Sequence, residues 1–190
     1  NILYYEYADH VNQEQRDWID SALMNVTGHT CLSFVPRTTE TDYVYVTTSS
    51  SGCFSYVGRI GGRQQLNLQN NVPAQGCFRF GTVIHEFIHA LGFHHTQTAY
   101  TRNDYVIIKW ENIEAGTESN FMLRDRTTTT MYGLDYDYDS IMHYAATAFS
   151  MNGEPTIVPI QPGIVLGQRN TMSPMDIQRL NRMYDCPDGQ

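Results

Sequence analysis

The residues best placed to do chemistry are His85, Glu86, His89 and His95, in the run His85-Glu-Phe-Ile-His89-Ala-Leu-Gly92-Phe-His-His95. Two histidines four apart leave one face of a helix a turn apart, so both imidazoles can reach one ion. Nitrogen ligands at ~2.0–2.1 Å suit Zn²⁺. Gly92 lacks a Cβ and can end the helix in a left-handed conformation, after which the chain can bring His95 back as a third ligand. Three protein ligands leave a position open for water, the arrangement of a catalytic zinc rather than a structural one. Glu86 is then best used as a base. It takes a proton from zinc-activated water, whose pKa falls to ~7, and later passes it to the leaving amine. His94 is expected to be a partly buried neighbour, because the spacing from Gly92 selects His95. One catalytic zinc ion is the expected cofactor.

A second segment, Ser140-Ile-Met142-His143-Tyr144, lies about fifty residues further on, and five of the seven histidines fall in these two segments. The four cysteines, Cys31, Cys53, Cys77 and Cys186, include no C-x-x-C pair, so a cysteine zinc knuckle is not expected. Four cysteines allow three pairings, and proximity favours Cys53 with Cys77, leaving Cys31 for Cys186. An even count points to disulfides and to an extracellular compartment. Asn25-Val-Thr is an N-glycosylation acceptor pattern at the end of an expected helix.

The chain around these residues is 190 long, with 12 basic and 20 acidic residues and a net charge of −8. That balance argues against nucleic acid, which needs a basic face, and against a polybasic membrane anchor. No apolar run approaches the ~18 residues of a membrane span. The first ten residues do not read as a signal peptide. Among the elements, Ile2–Tyr7 reads as a strand, and Asn12 and Gln15 as a capping box for a helix over 13–25. Strands are expected at 32–35, 43–47 and 64–68, and the metal-binding helix over 79–91. A strand over 105–110 and short helices over 111–115 and 118–123 follow. A closing helix is signalled by Ser173, Pro174 and Asp176. Asp135, Asp137 and Asp139 read as a solvated acidic loop.

Together these residues resemble the astacin family of zinc metalloendopeptidases, within the metzincins. The resemblance runs over nearly the whole chain. It rests on Cys31-Leu-Ser-Phe-Val-Pro-Arg-Thr-Thr, Cys53-Phe-Ser-Tyr-Val-Gly-Arg, the zinc motif, Asp104-Tyr-Val, Ser140-Ile-Met-His-Tyr and Gly167-Gln-Arg. It implies an α+β metzincin-type domain of two lobes flanking an active-site cleft. The N-terminal lobe, 1–92, would carry a mixed twisted sheet, helices and the zinc helix. The C-terminal lobe, 93–190, would be mostly irregular, with the third histidine, the Met-turn and the closing helix. The resemblance also implies disulfides Cys31–Cys186 and Cys53–Cys77. Tyr144 would be an extra zinc ligand that swings away to hydrogen-bond the reacting carbonyl. Met142 would be an apolar floor below the metal. Gln65, Leu66 and Asn67 would belong to an edge strand that binds peptide antiparallel. Arg169 would lie near the pocket after the scissile bond, favouring Asp or Glu there.

The chain departs from the family at Thr96, where a Glu usually follows the third histidine and anchors a buried N-terminus. The expectation is that Thr96 and neighbouring polar groups fill that volume. The expected protein is therefore a secreted, monomeric, glycosylated zinc endopeptidase acting on extended peptide or protein substrates. Two alternatives stand beside it: a weak or silent substrate-binding relative, and a zinc-dependent amidase acting on non-peptide amides.

Overall fold

The structure is a computed structural model that describes residues 1–187. The chain divides into two compact units, Asn1–Phe93 with Arg169–Gln190, and His94–Gln168.

In the first unit, β1 (Ile2–Tyr7), β2 (Ser33–Pro36), β3 (Tyr43–Thr47), β4 (Cys53–Ser55) and β5 (Arg63–Leu68) form one sheet in the order β2-β1-β3-β5-β4. All pairings are parallel except β4 against β5. Helix α1 (Gln13–Thr27) starts at a reciprocal capping box between Asn12 and Gln15. Its buried residues Ile19, Ala22, Leu23 and Val26 keep helical spacing, and it packs on α2 (Phe80–Ala90). Helix α2 is buried on nearly every side from Val83 to Ala90. Phe87 anchors it to the sheet through edge-on contacts with Tyr5 and Phe34. A helix wrapped this closely holds its polar side chains at fixed places.

The closing helix α3 (Pro174–Met183) begins at a second capping box, Ser173 with Asp176. It belongs to the first unit, whereas the sequence reading placed it in the C-terminal lobe. The reason is physical. Cys186 is bonded to Cys31, Tyr184 Oη donates to Leu91 O at 2.8 Å, and Asn181 Nδ2 donates to His29 O at 3.2 Å. The second disulfide joins Cys53 to Cys77, so β4 is tied to the turn before α2.

The second unit is short on regular structure. Its two strands, β6 (Val106–Ile108) and β7 (Ile157–Pro159), pair antiparallel. The helices expected near 111–115 and 118–123 are 3₁₀ turns at Trp110–Asn112 and Glu118–Phe121. Val106, Ile113, Phe121, Tyr136, Ile157 and Leu166 form its core. Asp137 is buried and accepts from Asp139 N at 3.0 Å, so the acidic run is not simply solvated.

Gly81 sits in the first turn of α2, where a Cβ would run into the backbone carbonyl group of Arg169. Backbone cannot yield as a flexible side chain can. Gly81→Ala should lower stability by about 2 kcal/mol, the usual cost of overpacking, despite alanine's better helix propensity. Denaturant midpoints should show the loss; an unchanged midpoint would mean the Arg169 segment moves freely.

Candidate zinc site

The zinc motif lies where α2 ends, and the ending itself orients a ligand. Gly92 adopts φ 107°, a conformation open to glycine at little cost. Gly92 N donates to His89 O at 2.8 Å and Phe93 N to Ile88 O at 3.2 Å. These two bonds are a Schellman closure. It turns the Phe93 carbonyl back onto the helix, where it meets His89 Nδ1 at 2.7 Å. Nδ1–H must donate there, which leaves Nε2 as the bare nitrogen for a metal. A Cβ at Gly92 would also approach Met183 Cε at 2.9 Å.

The His85 and His89 rings stand edge to face, 4.6 Å apart. His95 follows His89 by six residues, past the Gly92 turn. Each of the three offers one ring nitrogen, and these lie within 4.8 Å of one another. Nitrogens held at ~2.0–2.1 Å by one tetrahedral zinc lie about 3.4 Å apart, so the three rings are close enough to draw in on a single ion. His94 falls outside the group; burial pushes its pKa down, helped by the Arg124 charge.

Glu86 is 4% exposed, and its Oε2 is buried without a hydrogen-bond partner among the described residues. Burial raises its pKa to about 8, against the lowering effect of the Arg169 guanidinium. A carboxylate oxygen in this state fits a site that holds a cation beside it, since no group among the described residues satisfies it. The donor set and this orphaned oxygen both fit a zinc ion.

In the second unit, Ser140 Oγ accepts from Thr96 Oγ1 at 3.0 Å and from Met142 N at 3.1 Å. Thr96 N donates to Met142 O at 3.0 Å. The residue after His95 is thus laced to the Met142 turn by hydroxyls and backbone. Thr96 is buried, as is Met142. The uncharged hydroxyl pair avoids the several kcal/mol that an unpaired buried carboxylate would cost here. His143 is fully buried, with Nδ1 on Tyr144 O at 2.7 Å and Nε2 on Tyr136 Oη at 2.6 Å. Nδ1–H donates to the carbonyl while Nε2 and the Tyr136 hydroxyl share the second bond, and together they fix the backbone under Tyr144. The Tyr144 ring lies 4.3 Å from that of His95.

One part of the sequence reading is corrected. Gln65, Leu66 and Asn67 are not on an edge, because β5 is flanked by β3 and β4. Leu66 and Asn67 are 0% exposed. Asn67 braces the loop before β4: its Nδ2 donates to Ser50 O and Gly52 O, and its Oδ1 accepts from Ser50 N. The open edge is β4, with Phe54 42% exposed. Three residues are too few to show a period of two, so sequence pattern could not find it. Ser140 and Tyr136 were likewise missed as supports; a hydroxyl beside the Met142 turn was the available signal for Ser140. Asn25 sits in the last turn of α1, its carboxamide oxygen buried.

The sequence matches the family model of the astacin peptidases over residues 1–185. It is 40% identical over 184 residues to zinc metalloproteinase nas-13 of Caenorhabditis elegans, covering 96% of this chain and 40% of that protein. It is 41% identical over 187 residues to high choriolytic enzyme 2 of the medaka Oryzias latipes, covering 97% of this chain and 64% of that protein. The chain therefore spans less than two thirds of these curated relatives. The solved structure of medaka high choriolytic enzyme 1, a hatching enzyme zinc-protease, superposes with a TM-score of 0.91 at 40% identity, covering 98% of this chain and 90% of that one.

Ser140→Ala removes the acceptor that holds Thr96 and Met142 N. Zinc affinity should fall by at least about tenfold, as for other supports of ligand orientation. Competition with a chromophoric chelator would measure it; unchanged affinity would mean the backbone bonds suffice.

Proposed function

The chain belongs to the astacin family of peptidases, and we propose that it is a secreted zinc metalloendopeptidase cutting extended peptide or protein substrates. Family membership implies a zinc ion, and the chain has the three-histidine group able to hold one. His85, His89 and His95 are its ligands, His89 through Nε2. When bound, zinc polarises a carbonyl and acidifies a water. The observation that carries the reading is the buried, unpartnered Oε2 of Glu86, next in the chain to His85. That oxygen takes a proton from the attacking water and delivers it to the leaving nitrogen. Tyr144, whose ring lies beside that of His95, donates its hydroxyl to the carbonyl oxygen as it gains negative charge.

The substrate adds to the free edge of β4 as an antiparallel strand, its main chain bonded to a rigid sheet. The Arg169 charge, which reaches Glu86, favours an acidic residue after the cut. Two disulfides and no free cysteine support an oxidising, extracellular setting. Among the described residues no helix is long and apolar enough to cross a membrane. The unit acts as a monomer in this reading. Asn25 can carry a glycan only if its carboxamide turns outward. Neither a silent binding module nor an amidase for small acyl amides is favoured by any feature of the site.

Glu86→Ala should keep fold and zinc but lower kcat by about 10³-fold. Near-wild-type turnover would remove Glu86 from the mechanism. Tyr144→Phe should lower kcat about 10²-fold and leave KM nearly unchanged; an effect on KM alone would make Tyr144 a pocket wall. A diverse peptide library, cut with and without a zinc chelator and read by mass spectrometry, tests the activity itself. Zinc-dependent cuts before Asp or Glu are expected. Cuts without that preference would discard Arg169, and no cutting by folded, zinc-loaded protein would overturn the proposal.

A further inference from the structure

We propose that Phe149 is a positioning residue for Tyr144: its ring forms the outer wall of the slot holding the Tyr144 ring, and so aims the phenol hydroxyl. This rests on the role given to Tyr144 above.

The first observation is backbone geometry. Phe149 has φ 53°, in the left-handed region that bulky side chains avoid. Such strain persists only where the surroundings over-determine it, and it concentrates at functional sites. Here the surroundings are visible. Glu114 N donates to Phe149 O at 2.8 Å, Met151 N to Asn112 O at 2.9 Å, and Ser150 bridges Ile113 antiparallel. Clamped on both sides, residue 149 has its side-chain direction set by the backbone.

The second observation is where that direction leads. The Phe149 ring lies 5.6 Å from the Tyr144 ring, tilted by 46°. Both rings touch Phe121, Phe149 at 6.1 Å and Tyr144 at 5.9 Å, each edge to face. The His95 ring also lies against Tyr144, tilted by 50° with centroids 4.3 Å apart. Of these neighbours, Phe121 is fully buried and fixed by the core. Phe149 is 39% exposed. A ring that served only to seal Phe121 would gain by being buried. Glycine would adopt the same φ without strain but would leave Tyr144 without a wall. The strained, half-open ring therefore acts on Tyr144. Without it the phenol gains rotamers and loses the time it spends aimed at the carbonyl oxygen, which lowers turnover more than substrate binding.

The test compares Phe149→Ala, Phe149→Tyr and Phe149→Ala in a Tyr144→Phe background, all in the zinc enzyme with a peptide substrate. Phe149→Ala should lower kcat about tenfold with KM within about twofold, and Phe149→Tyr, which keeps the ring, should restore most of it. In the Tyr144→Phe background the same substitution should change kcat less than about twofold, because the residue it positions no longer has its hydroxyl. In tyrosine-ring-labelled protein, the Tyr144 resonances should shift and broaden in Phe149→Ala. A lower melting temperature with unchanged kcat, or a loss of equal size in the Tyr144→Phe background, would overturn the proposal. If Tyr144→Phe alone leaves kcat intact, the mechanistic reading of Tyr144 fails. The ring resonances then decide on their own whether Phe149 orients Tyr144, and unmoved resonances overturn it.

Discussion

The contact from His89 Nδ1 to Phe93 O is the constraint on which the site depends. It is made by the end of a helix rather than by a dedicated partner. Gly92 lets the chain reverse, and the reversal supplies a carbonyl at the right height to select one imidazole tautomer. The same reversal sends the chain on toward His95. One backbone event thus orients one candidate ligand and sends the chain toward the next. A side chain at 92 would strain both, because φ 107° is a conformation that residues with a Cβ rarely adopt. Helix α2 can afford so polar a face only because its apolar residues are packed against α1 and the sheet, leaving Glu86 buried and its oxygen unsatisfied.

Beyond Gly92 the support changes character. In the second unit, order comes less from strands and helices than from individually bonded turns. Ser140 Oγ gathers Thr96 and Met142 N, and His143 spans Tyr136 and Tyr144. Both motifs fix backbone by hydrogen bonds in buried surroundings, where each satisfied group avoids a desolvation penalty of ~1–3 kcal/mol. Thr96 suits this scheme: a hydroxyl is small, uncharged and able to pair with another hydroxyl.

Much of this could be read in the sequence, for identifiable reasons. Spacing of four on a helix is geometric, so His85 and His89 were visible at once. The capping boxes at Asn12 and Ser173 were visible because their chemistry is local. What escaped depends on contacts distant in sequence. The three residues of β4 have no pattern of their own and form a strand because β5 offers them an edge. For the same reason β5 was mistaken for the edge itself. The closing helix is legible from its cap, but the unit it packs with is not, since that follows from a disulfide spanning 155 residues. The 3₁₀ turns of the second unit were overextended into helices because apolar spacing alone does not reveal where a chain stops turning.

The two ends of the main sheet are unlike, and the difference bears on solubility. A sheet that accepts a peptide as an added strand has to leave one row of amides and carbonyls open, and any such row invites another copy's strand as readily as a peptide. Here the opposite border, β2, finishes in Pro36, which has no N–H to offer and breaks the ladder. The open border, β4, is only three residues long. Each molecule therefore presents one brief acceptor edge and one blunted edge. Stacking of sheets end to end needs two long compatible borders, and these two are short and unlike.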